Sequence, residues 1–237
     1  MGGKKTPLRI SRSNMLYALI NGTKVRAQPH QRASCPNCSG EVLSKCGVIN
    51  IWHWAHLPSI DCDSWTEGET AWHLLWKSYF PPERVEVSIL KDGKRHVADI
   101  ITRNGTVLEL QASPISVEEI REREQFYKRV VWLFDVAKAV LSMRLDIRYK
   151  DCRVLGSAWP ANRHYPPGFL EQQGYQTFRW FHAQKHIAYT SKPTWLDLGD
   201  GRLLDLRRMY PNSPCGGWGY IKNKYAVIGS WGGTVAH

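Results

Sequence analysis

The apolar positions change period several times along the chain, and each change predicts an element. Glu69–Tyr79 (ETAWHLLWKSY) carries Trp72, Leu74, Leu75 and Trp76 at helical spacing and is stopped by Pro81-Pro82, which predicts a helix. Arg84–Leu90 alternates as a strand and runs into Asp92-Gly93, a turn pair. Arg95–Thr102 predicts a second strand, Asn104-Gly105 a second turn and Thr106–Ala112 a third strand. Ser116-Val-Glu-Glu119 reads as a capping box, with Ser116 as N-cap and Glu119 reaching back, opening a helix to about Lys128. The unbroken apolar run Val130–Phe134 then predicts a fully buried strand. The order is helix, three strands, helix, strand.

The flanks have a different texture. Residues 1–63 hold four of the six cysteines and read as short strands and knuckle turns without a helical period. Residues 141–237 are rich in Trp, Tyr, Pro and Gly. Their runs Gln176–Phe181, His186–Tyr189, Thr194–Leu198 and Tyr225–Ile228 predict β-like pieces of a small β-rich extension. Three segments result: 1–63, 64–140 and 141–237. No internal repeat or low-complexity tract is visible.

The chain has 237 residues, with 43% hydrophobic and 22% charged residues, an ordinary globular balance that excludes a disordered or collagen-like chain. No apolar stretch is long enough to span a bilayer, and the basic start MGGKKTPLRISRS lacks the apolar core of a secretory signal. Six cysteines are too sparse for a disulfide scaffold, so a soluble, cytoplasmic protein with no membrane association is expected. The net charge of +11 is unevenly placed. Residues 1–62 carry 8 Lys/Arg against 2 Asp/Glu, residues 63–140 carry 11 against 13, and residues 141–237 carry 13 against 6. Two basic flanks around an acidic middle suit a protein that handles a polyanion and holds a divalent cation, although charge alone selects no partner.

Two groups of residues carry candidate chemistry. Cys35-Pro-Asn-Cys38 sets two thiolates across a tight turn, and His53-Trp-Ala-His56 and Cys62 follow within thirty residues. The preferred zinc ligands are Cys35, Cys38, His56 and Cys62, with His53 the main substitute and Cys46 a distant one. Four protein ligands would make the site structural. The bland alternative leaves His53 and His56 as strand residues flanked by packed Trp52 and Trp54. Cys152 and Cys215 lack companion ligands and read as core thiols.

The second group lies on the hairpin Arg95–Ala112. Asp99 and Glu109 sit mid-strand among apolar neighbours, where an unpaired carboxylate is costly, and no Lys or Arg on the same strands neutralises both. A bound Mg²⁺ or Mn²⁺ would. A two-residue Asn104-Gly105 turn would put the two carboxylates on opposite faces. A three-residue loop, Arg103 to Gly105 with a left-handed Gly105, puts them face to face with Gln111 alongside, and that is the register expected here. Glu69, His73 and Lys77 repeat every four residues as a polar stripe on the preceding helix. A solvated face explains Lys77 better, whereas Glu69 and His73 are assigned to the site.

In this order, CPNC, HWAH, ETAWHLLWK, HVADI, LELQASPIS and REREQFY resemble the competence-protein CoiA-like nucleases, a branch of the PD-(D/E)XK or restriction-endonuclease-like superfamily. The resemblance covers roughly residues 30–135. It implies an α/β fold with an αβββαβ restriction-endonuclease-like core, an N-terminal zinc knuckle and a C-terminal β-rich extension. It also implies an Mg²⁺- or Mn²⁺-dependent nuclease that hydrolyses phosphodiester bonds in DNA, with Asp99 and Glu109 as metal ligands and Glu69 assisting. Gln111 stands where the superfamily usually has lysine, so the missing positive charge would have to come from Lys77, Lys94 or Arg95. Two alternatives remain: a zinc-stabilised nucleic-acid-binding module without catalysis, and an accessory subunit of a DNA-processing complex. The aromatics Trp159, Tyr165, Phe169, Tyr175, Phe178, Trp180 and Phe181, interleaved with Arg153, Arg163, Arg179 and Lys185, could form a stacking platform for single strands. For any one ring, a place in the core is the better reading.

Overall fold

The computed structural model describes residues 14–48, 52–57, 62, 65, 69–147, 175–210 and 216–235. The fold is mixed α/β with sheet predominating, and the chain divides into two compact units, Met1–Ile100 and Ile101–His237. Among the described residues no helix is long and apolar enough to cross a membrane.

In the first unit six short strands, β1 (Asn14–Met15), β2 (Tyr17–Ile20), β3 (Thr23–Arg26), β4 (Arg32–Ser34), β5 (Glu41–Lys45) and β6 (His53–His56), form an antiparallel sheet ordered β1-β6-β5-β4-β2-β3. Its core is small: Met15, Ala18, Ala27, Cys35, Val42 and a fully buried Trp54. Helix α1 (Ala71–Ser78) follows. Thr70 caps it by accepting from the His73 N–H, and the His73 ring accepts in return from the Thr70 N–H. The hairpin of β7 (Val85–Lys91) and β8 (Lys94–Ile101) turns at Asp92-Gly93, both at positive φ (50° and 74°). That is the left-handed geometry a two-residue hairpin turn requires.

In the second unit β9 (Val107–Gln111), β10 (Val130–Asp135) and β13 (Thr194–Asp197) run parallel. Helix α2 (Val117–Tyr127) lies between β9 and β10 in sequence, and the short helix α3 (Ala137–Leu141) follows β10. The remaining strands are β11 (Leu145–Asp146), β12 (Tyr175–Trp180), β14 (Arg202–Met209) and β15 (Gly217–Asn223), with helix α4 (Lys224–Trp231) after them. Within this unit the strand order is β9-β10-β13-β14-β15-β12-β11, so the segment beyond Leu141 shares a sheet with β9 and β10. Trp132, Phe134, Phe178, Trp180, Leu196 and Leu204 are among the residues of one large core on one face.

The turn before β9 is the three-residue loop expected from the sequence. The Thr102 N–H donates to the Thr106 carbonyl (2.9 Å), the Gly105 N–H donates to the Thr102 carbonyl (2.9 Å), and Gly105 is left-handed with φ 77°.

Several sequence expectations give way. His186–Tyr189 lies in a 3-10 turn (Lys185–Tyr189), not a strand. Tyr225–Ile228 lies in α4, because Asn223 caps the Tyr225 and Ala226 N–H groups and Gly232 closes the helix in the left-handed region. Ser116 caps α2 through the Glu119 N–H, but the Glu119 carboxylate turns to Arg123 rather than back to Ser116. Phe178 and Trp180 are core residues and no part of a surface platform. Cys152, Cys215, Trp159, Tyr165, Phe169, Arg153 and Arg163 lie outside the described residues.

Candidate functional site

The first site is built by the turn after β4. The Cys35 N–H donates to the Gly40 carbonyl (2.8 Å), the Ser39 N–H to the Cys35 carbonyl (3.0 Å), and Ser39 takes φ 62°. This tight reversal points the Asn37 and Gly40 N–H groups at the Cys35 and Cys38 sulfurs (3.3 and 3.4 Å). His56, on β6, brings Nε2 to 3.3 Å from Cys38 Sγ, and Cys62 Sγ lies 3.6 Å from Cys35 Sγ. The ligand atoms of Cys35, Cys38, His56 and Cys62 all lie within 4.8 Å of one another, so these four could hold a metal ion.

Three thiols and one imidazole in a tight cluster fit tetrahedral zinc. The thiols already interact: the Cys35 thiol lies below its ordinary range because it is hydrogen-bonded to Cys62, while Cys62 is pushed up to about 12 by that hydrogen bond and by burial. A metal that takes both as thiolates would relieve that conflict. His53 and His56 are three apart on one strand and therefore face opposite ways, and only His56 joins the cluster. Asn37 ties the turn to the hairpin, accepting from Ser88 Oγ (2.6 Å) through its side chain and from Arg95 (2.6 Å) through its carbonyl.

The second site, also in the first unit, gathers carboxylates around Lys77. Its Nζ donates to Glu69 Oε1, to Glu86 Oε1 (3.1 Å) and lies 3.1 Å from Asp99 Oδ1. The Lys77 residue is only 1% exposed, so the expected solvated face is wrong. Trp76 and Lys77 are both buried on the last turn of α1, which turns the ammonium inward. Burial alone would lower the Lys77 pKa, but the three carboxylates outweigh it and hold the ammonium well above its ordinary range. Burial, with repulsion from Glu86 and Asp99, pushes Glu69 up to about 8 despite Lys77.

Glu86 is a site residue that the sequence reading misses. It sits in β7 at φ 49°, and its carboxylate accepts from the Leu16 and Tyr17 N–H groups (2.8 and 3.0 Å) where β1 gives way to β2. Those bonds and Lys77 hold a backbone conformation that glutamate rarely adopts. A signal exists in the chain: Glu86 stands between Val85 and Val87, as Asp99 stands among apolar residues.

His73 is buried and serves the cap of α1, which accounts for its place on the stripe.

In the second unit Glu109 is 2% exposed on β9, and its Oε2 accepts from Arg123 NH1 (2.8 Å). Arg123 also holds Glu119, and the two carboxylates raise its already high pKa further in spite of burial. Gln111 is buried, and its Nε2 donates to the Ser113 carbonyl (2.8 Å). Helices α1 and α2 supply Lys77 to Asp99 and Arg123 to Glu109. Arg123 is legible too, three residues after the buried Ile120 and hence on the inner face of α2.

No curated protein and no solved structure matches the chain. Residues 21–64, which include all four clustered Cys/His ligands, match the family described as Competence protein CoiA, N-terminal domain.

Proposed function

We propose that this chain is a metal-dependent nuclease that hydrolyses phosphodiester bonds in DNA, with the Cys/His cluster as a structural zinc site. The observation that carries the reading is the carboxylate excess around Lys77. Glu69, Glu86 and Asp99 bring three acids to one buried ammonium, leaving net negative charge where a divalent cation is favourable. Asp99, within that cluster, is the ligand assigned to Mg²⁺ or Mn²⁺. When bound, the metal would polarise the scissile phosphate and acidify an attacking water. Lys77 is a positioning residue: it fixes the Glu69 and Asp99 carboxylates and provides the positive charge that Gln111 does not.

A second reading, a nucleic-acid-binding module without catalysis, draws on the Glu109–Arg123 pair, which neutralises Glu109 without a metal. The deciding experiment incubates supercoiled and single-stranded circular DNA with Mg²⁺, with Mn²⁺ and without added divalent cation. Wild type is compared with Asp99→Asn and Glu109→Gln, each checked for folding by circular dichroism. Metal-dependent cutting lost in both variants is the expected result. Retention of DNA in a gel without cutting supports the second reading.

A further inference from the structure

The strand β15 reads Gly217-Trp218-Gly219-Tyr220, which inverts the usual arrangement of a sheet packed on one face. The glycines face the core, where a side chain has no room: a Cβ on Gly217 would run into the Arg208 carbonyl and Phe178 Cζ (2.7 Å), and one on Gly219 into the Asp205 carbonyl and Leu204 Cδ1 (3.1 Å). Strand alternation therefore puts both large rings on the opposite face. There Trp218 and Tyr220 stand edge to face with centroids 6.2 Å apart, both half-buried.

The next strand supplies charge to the same face. The register between β14 and β15 slips between Leu206 and Arg208, so one residue is extra, and such a bulge re-aims consecutive side chains. Arg208 pairs with Trp218, while Arg207 stands over the Tyr220 ring at 5.4 Å and holds Asp205 at 2.6 Å. Lys222, two residues along β15, lies 5.7 Å from the same ring. Arg207, Arg208 and Lys222 are exposed, and Asp205 is the acid engaged there.

We propose that this face of β14 and β15 binds single-stranded nucleic acid, with bases stacking on Trp218 and Tyr220 and phosphates running past Arg208 and Lys222. Three cations against one already paired carboxylate select a polyanion, and adjoining rings select one whose bases are unpaired. A duplex keeps its bases stacked on one another and offers only phosphates. The inference shares with the nuclease reading only the polymer, and it places a strand-selective surface outside the residues assigned to cleavage.

The test is fluorescence anisotropy of a labelled 15-nucleotide oligothymidine and of a 15-base-pair duplex against the full chain, with no divalent cation added. Wild type is expected to bind the single strand more tightly than the duplex. Trp218→Ala and Tyr220→Ala should each weaken the single strand about tenfold while moving the duplex little, and Trp218→Phe and Tyr220→Phe should restore most of the loss. Lys222→Ala, an exposed change that decides the matter should an aromatic variant not fold, should weaken the single strand and flatten its salt dependence by about 0.7 in log–log slope. Folded alanine variants that bind as wild type does, equal affinity for duplex and single strand, or an unchanged Lys222→Ala would each overturn the proposal. Cleavage is not read in this assay, so failure of the nuclease reading and failure of this one are separate results.

Discussion

Lys77 and Glu69 show how burial sets the chemistry of single residues. A lysine with one carboxylate is an ion pair; a lysine with three is the counter-charge of an acidic cluster. Lys77→Met removes it and leaves the Glu86 and Asp99 carboxylates without their counter-charge in a poorly hydrated place. The expected loss is about 3–5 kcal/mol of unfolding free energy, measured by urea denaturation at pH 7. Glu69 makes a separate prediction. Its pKa is about 8 folded against an ordinary 4.5, so the folded chain keeps a proton that the unfolded chain has released between those values. The stability contributed by that proton is complete below about pH 4.5 and is lost as pH rises through 8. Without added divalent cation, wild type should lose stability relative to Glu69→Gln between about pH 5 and 8, read as diverging urea midpoints. Parallel midpoints across that range would show that Glu69 is already ionised.

At the scale of elements, periodicity is a good guide where a segment is long or its turn chemistry strict. Both expected helices, the hairpin at Asp92-Gly93 and the three strands around it stand within a residue or two of their expected bounds. Tyr225–Ile228 fails because four apolar residues carry no period of their own, and the Asn223 cap and Gly232 stop outside them decide for helix. The Cys/His cluster is legible because knuckle spacing is local. The partners of Asp99 and Glu109 are harder to find, since cations from helices reach them and nothing in strand register announces that. Gly105 offers a direct check on the loop that sets this register. Its φ is 77°, and a Cβ added there would meet no heavy atom within 4 Å beyond its chain neighbours, so Gly105→Ala is opposed by backbone strain alone. It should cost about 1–2 kcal/mol in urea melts, and Gly105→Asn less, because asparagine tolerates the left-handed region. Equal stability of Gly105→Ala and wild type would mean that the turn relaxes to another type.

Across the molecule, the two units differ in what holds them together. The second rests on a large aromatic and aliphatic core, with Trp132, Phe134, Phe178 and Leu196 fully buried. The six-stranded sheet of the first has strands of two to five residues and, among the described residues of its core cluster, one large ring, Trp54. So little apolar burial does not easily offset the entropy of ordering those strands, and small cores of this kind depend on an added cross-link. With a metal bound, the Cys/His cluster would supply one by tying the turn after β4 to β6 and to Cys62, across about twenty-seven residues of chain, and metal affinity would then enter the folding free energy directly. Removing zinc with a strong chelator should therefore speed amide hydrogen exchange in β2, β4, β5 and β6 by orders of magnitude. It should leave β10 and β13 to β15 protected, and Cys38→Ser should reproduce the pattern without chelator. Metal analysis of the purified chain should return one zinc per molecule, falling towards zero in that variant. Exchange in β4 to β6 that ignores both treatments would leave the cluster with no structural role, and Trp54 with its neighbours would have to hold the sheet unaided.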